Sequence, residues 1–126
     1  MPKLSRETAP NVQDMGVMEG RYGALEGYAV GFEHFREEAR TDGLFDGLPD
    51  DRCQCPHWGY VFSGSITFRW ADHEEVYEAG DAYYAPPGHL TTIAGGTEAL
   101  EFAPAEEHAR SMQTLGRNLE AMQAAG

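Results

Sequence analysis

The chain has 126 residues, with 21 acidic against nine basic side chains and a formal charge of −12, a balance that repels phosphate backbones and anionic membrane surfaces and argues against nucleic acid or a membrane as partner. This length fits one compact domain. Residues 1–9 are polar and lack the apolar segment of a secretory signal, and no run approaches the ~20 apolar residues of a membrane span, so the expected location is cytoplasmic.

In chain order, residues 1–14 are polar and without clear period, an N-terminal arm or early edge strand. A first strand is expected near Val17 to Tyr22, with a turn over 23–27. Tyr28, Val30, Phe32 and His34 then alternate with Ala29, Gly31, Glu33 and Phe35, the period of a half-buried strand. His34 shares its parity with Val30 and Phe32, which makes it either an inward, pocket-lining residue or a hydrogen-bonded strand histidine at the rim. Residues 36–52 form a long charged loop whose sizeable apolar side chains, Leu44, Phe45 and Leu48, either tuck onto the barrel or close over a pocket.

Beyond the loop, turn residues come at short intervals. Tyr60-Val61-Phe62 leads into Ser63-Gly64-Ser65, then Ile66, Phe68 and Trp70 alternate with Thr67 and Arg69, predicting a hairpin. Short strands follow at 75–77, 82–85, 89–94 and 99–102, separated by Asp72-His73, Ala79-Gly80-Asp81, Pro86-Pro87-Gly88 and Gly95-Gly96. Many short strands at such spacing predict an all-β sandwich or barrel over 15–104. The period then changes. Met112, Leu115, Leu119 and Met122 recur three and four residues apart, predicting a C-terminal α-helix over 105–124.

The chemistry concentrates in Cys53-Gln54-Cys55-Pro56-His57. In an extended chain Cys53, Cys55 and His57 would share one face, and thiolate and imidazole suit zinc best, with iron, nickel or copper also accepting them. A disulfide between cysteines one residue apart would close too small a loop to stabilise much, so a close pair in a reducing compartment points to metal or redox chemistry. His89 is the fourth candidate ligand. All four together would make a closed structural zinc site, whereas three plus water would leave an open one. Alternatively, the thiols are ordinary buried side chains and the histidines line an empty pocket. Tyr60, Phe62, Phe68 and Tyr83 offer aromatic pocket walls, and Asp51 and Tyr60 join the histidines as acid–base candidates.

The region from about Cys53 to Phe102 resembles a cupin domain. The family's second motif, a glycine, five residues, Pro-x-Gly, two residues and a histidine, is matched by Gly80, Pro86 and Gly88, with Thr91 at the histidine position and His89 two residues earlier. Counting back from Gly64, the first motif places His57 at its glutamate position, Cys53 at its second histidine and Asp51 at its first; Cys55 has no counterpart. The resemblance implies a double-stranded β-helix (jelly roll), a divalent metal, a small-molecule ligand in the barrel with Thr91 in its lining, and a homodimer, with the helix stripe and edge strands as contact surfaces. Without three histidines and a glutamate, iron- or manganese-dependent dioxygenase chemistry is not expected. Three readings follow: a metal-binding protein handling a small organic molecule, a non-catalytic sensing or ligand-binding module with structural zinc or an empty site, and a structural dimer with a vestigial pocket.

Overall fold

The computed structural model describes residues 3–125. Ten strands precede one helix: β1 (Asn11–Asp14), β2 (Met18–Leu25), β3 (Tyr28–Phe35), β4 (Ala39–Arg40), β5 (His57–Ser63), β6 (Ser65–Arg69), β7 (Glu74–Glu78), β8 (Ala82–Ala85), β9 (Leu90–Ile93), β10 (Glu98–Pro104) and α1 (Ala105–Ala125). They form two antiparallel sheets, a six-stranded one in the order β1-β2-β3-β10-β5-β8 and a four-stranded one in the order β4-β9-β6-β7. Consecutive strands β5 and β6 lie in different sheets, as a rolled sandwich requires. The corner between them is Gly64, at φ +80°, where an added Cβ would stand 2.6 Å from the Thr97 Cα. Only glycine fits there, because the left-handed backbone and the close approach each exclude a side chain.

Met18, Phe35, Val61, Ile66, Phe68, Tyr83, Ile93 and Ala99 from both sheets meet in the main core. A second cluster, Phe45, Cys53, Cys55 and Ala103, is covered by Leu48, Leu90, Met112 and Leu115. Thus the 36–52 loop tucks in through Phe45, and the apolar stripe of α1 closes over one end of the barrel. The helix is pinned at its start by the Ala105 amide donating to the Gly27 carbonyl (2.9 Å), and further along by Asn118 Nδ2 donating to the carbonyls of Leu44 and Asp46 (2.8 and 3.0 Å).

The first hairpin differs from expectation. β2 runs on to Leu25, through the stretch expected to turn, and the reversal falls at Glu26 and Gly27, both at positive φ. Gly20 and Gly23 stay within the strand because their missing side chains leave room for the Tyr22 ring on one face and Leu4 on the other.

Candidate metal centre

Three of the four proposed ligands come together. One donor atom from each of Cys53, His57 and His89 lies within 4.8 Å of the other two, and the Cys53 Sγ is 3.8 Å from the His57 Nε2. Donors around a tetrahedral zinc stand ~3.5 Å apart, given bonds of ~2.0–2.3 Å, so a small contraction would complete the site. All three residues are buried.

Local backbone structure explains the meeting. Cys53 and His89 form an isolated antiparallel bridge: the Cys53 amide donates to the His89 carbonyl (2.9 Å), and the His89 and Gly88 amides donate to the Cys53 carbonyl (3.2 and 2.8 Å). His57 opens β5 opposite Ala85, placing its ring 5.1 Å from that of His89. Gly88, at φ +93°, turns the chain into β9. The Pro86 carbonyl accepts from His89 Nδ1 (2.8 Å) and from Trp70 Nε1 (3.0 Å). A carbonyl only accepts, so the His89 proton sits on Nδ1 and its Nε2 keeps a free lone pair, as a metal ligand needs.

Cys55 does not join them. Residues between Cys53 and His57 are not in a strand, so the alternation that would align both thiols fails at Pro56. The Cys55 Sγ lies 3.5 Å from the Pro56 carbonyl and packs in the second core cluster, where burial pushes its thiol up to about 12. Burial also raises the Cys53 thiol, whose Sγ lies 3.7 Å from the Ser111 hydroxyl on α1. His57 and His89 are both lowered to about 4, chiefly by burial, with His108 adding to the effect on His57 and His57 to that on His89. Both imidazoles are therefore neutral at pH 7.

Of the expected lining residues, Phe68, Tyr83 and Thr91 are buried inside, with the Phe68 ring edge-on to His89 at 4.9 Å. Tyr60, Phe62 and His34 are not in the interior. With His57, Gly59 and Val61 facing in, period two turns Tyr60 and Phe62 outward, where they are 39% and 47% exposed. In β3 the inward side chains are Glu33 and Phe35, so His34 points out opposite Glu98 and Glu19. Asp51 is exposed and accepts from the Gly47 amide nearby (3.0 Å).

The interior instead carries two carboxyls that sequence patterning passed over. The Tyr22 hydroxyl donates to Glu33 (2.8 Å) and the Tyr83 hydroxyl to Glu101 (2.5 Å). Their rings lie across Gly20, Gly31 and Gly59, where any Cβ would collide with them. Glu101 Oε1 is 3.5 Å from His57 Nδ1, which is buried without a hydrogen bond. A chamber of about 20 Å³, room for roughly one water, is lined by Tyr22, Glu33, Glu101 and His108 among others. Burial, reinforced by Glu101, pushes Glu33 up to about 7; burial likewise raises Glu101, against the Tyr83 hydrogen bond. The signal for these acids was available: each sits two residues from an inward small or apolar position.

Solved structures share this architecture. An RmlC-like cupin from Shewanella frigidimarina aligns with a TM-score of 0.52 and 18% identity over 75% of this chain and 83% of that one. The chain has the cupin fold. KdgF from Halomonas sp. aligns at TM-score 0.51 and 19% identity over 75% of this chain and 86% of that one, and the polyketide cyclase RemF from Streptomyces resistomycificus at 0.56 and 14% over 82% and 79%. No family model and no curated protein matches the sequence. At these identities the likeness concerns the fold alone, and the names of these proteins imply no common chemistry. Among the described residues, no helix is long and apolar enough to cross a membrane.

Proposed function

We propose that this protein is a small metal-binding cupin that holds a divalent metal, zinc by its donor set, on Cys53, His57 and His89, and uses it on a small organic molecule. The observation that carries the reading is the convergence of one thiol and two neutral imidazoles, all buried, from β5 and the two segments of the Cys53–His89 bridge. Three protein donors leave a fourth tetrahedral position for water or a ligand oxygen, the arrangement of reactive rather than purely structural zinc. The metal would supply Lewis acidity there. Glu101, beside His57 Nδ1, is placed to orient that ring, and the Tyr22–Glu33 pair provides a proton store on the chamber wall. Two free thiols suit a reducing compartment, hence the cytoplasm.

A second reading, a non-catalytic ligand-binding or sensing module, is favoured by one observation: the chamber holds about one water, too little for an organic substrate without rearrangement.

Elemental analysis of protein purified without a histidine tag or added metal tests the proposal. Close to one divalent metal per chain is expected, lost in Cys53→Ser and retained in Cys55→Ala, with unchanged circular dichroism in both. Full metal content in Cys53→Ser would refute the ligand assignment.

A further inference from the structure

The wall of the interior chamber is rich in hydrogen-bond acceptors and poor in donors. Its side chains are aliphatic apart from Tyr22, Glu33, Glu101 and His108, and none of these brings a fixed positive charge. The tyrosine hydroxyls are already engaged with the acids: Tyr22 donates to Glu33 Oε2, and Tyr83, on β8, donates to Glu101 Oε2. That leaves Oε1 of each carboxyl, and among the described residues neither accepts a hydrogen bond. Neither acid has a Lys or Arg partner there; the basic group beside Glu101 is His57, which is neutral at pH 7. Burial holds His108 neutral too, so it offers a lone pair rather than a charge. Burial raises both carboxyls, and Glu101 adds to the shift of Glu33, as expected where two acids face each other without a counter-ion. A second observation points to a ligand at this place. His57, 7% exposed, holds Nδ1 3.5 Å from Glu101 Oε1 and makes no hydrogen bond with it. A deeply buried polar atom without a protein partner is where proteins hold an ion or a water.

We infer that the chamber binds an ammonium ion between Glu33 Oε1 and Glu101 Oε1. Size is the first argument: about 20 Å³ admits one non-hydrogen atom with its hydrogens, which ammonium is, and is too small for a guanidinium or a quaternary amine. The volume that counts against an organic substrate therefore suits this ligand. Hydrogen bonding is the second. Ammonium carries donors only, which complements the unpaired oxygens of the wall, and its charge-assisted bonds to carboxylates are roughly twice as strong as neutral ones. Charge is the third. A bound cation offsets the repulsion between the two acids, which a water in the same place would leave standing. The chain's charge of −12 also raises the concentration of any cation around it. The site needs no metal on Cys53, His57 and His89 in order to form.

Thermal melting of the metal-free full chain at pH 8, with chloride salts compared at equal concentration, tests the assignment. Ammonium at about 100 mM should raise the melting midpoint by about 5 °C over sodium, as binding at about 10 mM would. Potassium, close to ammonium in size but without N–H donors, should leave the midpoint within ~1 °C of the sodium value, as should tetramethylammonium. The response should disappear in Glu33→Gln, which keeps an oxygen for Tyr22 but removes one charge, and equally in Glu101→Gln. It should persist in Glu98→Gln, where the acid lost is an outer one paired with Arg6 at 3.6 Å. Equal stabilisation by potassium, an ammonium response that survives both interior variants, or a native chain that does not respond would overturn the assignment. Every sample is free of metal, so none of these results bears on the three metal ligands, which elemental analysis decides separately.

Discussion

Replacing Glu33 with Gln should change how stability depends on pH, in a direction the structure fixes. Glu33 lies inside the barrel beside Tyr22 and the chamber that Glu101 and His108 also line, and its carboxyl is moved from the usual 4.5 to about 7, first by burial and then by the Glu101 carboxylate. Below pH 4.5 folded and unfolded chains both hold the proton. As pH rises the unfolded chain releases it first, so the folded state binds the excess proton and stability falls until about pH 7, where the loss is complete. The full shift corresponds to about 3 kcal/mol, most of which falls between pH 5 and 8. Gln keeps an oxygen for the Tyr22 hydroxyl but carries no titratable proton, so this slope disappears. The buried histidines act in the opposite sense. Lowered to about 4, His57 and His89 contribute stability that is present above about 6.5 and lost as pH falls, equally in both proteins. The difference between variant and parent therefore reports the Glu33–Glu101 carboxyl pair, free of the histidines. Urea denaturation of metal-free protein at pH 5, 6, 7 and 8 should show the variant gaining roughly 2–3 kcal/mol on the parent across that range. Parallel profiles would show that Glu33 is ionised in the fold and that the chamber is wetter than its lining implies.

Two further changes address the metal site and the frame that holds it. Glu101→Gln should weaken metal binding about 10–100-fold in a chelator competition while leaving circular dichroism intact, because a ligand imidazole loses its orienting carboxylate; an unchanged affinity would mean that the 3.5 Å approach to His57 Nδ1 has no part in ligation. Gly64→Ala should destabilise the fold by about 2 kcal/mol or more, read as a lowered urea midpoint, because alanine meets both a positive φ and the Thr97 backbone; a shift within a few tenths would show that the corner relaxes freely.

Much of the framework was legible because turns are written in residue chemistry. Gly64, Gly80, Gly88 and Gly96 all adopt positive φ where the glycine-bearing turns were expected, and α1 begins at the change from period two to period 3.6. The site was legible as far as residue type went: Cys53, His57 and His89 meet, but Cys55 does not, because parity presumes an extended chain and the chain there is irregular up to His57. The choice of faces was the harder question. Alternation identifies an apolar side and a polar side, and the usual assignment puts the apolar side inward. In β3 and β5 the outward positions include Tyr28, Phe32, Trp58, Tyr60 and Phe62, while the inward ones include Glu33, His57 and two glycines. Hydrophobicity therefore pointed to the wrong side for His34, Tyr60 and Phe62, and the inward-facing, half-buried acids went unnoticed.

The helix that closes the barrel has a kinetic consequence. α1 contributes Ser111 beside the Cys53 sulfur and His108 to the chamber wall, and it is tied to the 41–48 segment through Asn118. Anything larger than a solvent molecule must wait for this end of the molecule to open before it reaches the three donors. Uptake would then reach a ceiling as ligand concentration rises, set by how often the closure opens rather than by how often molecules collide with it.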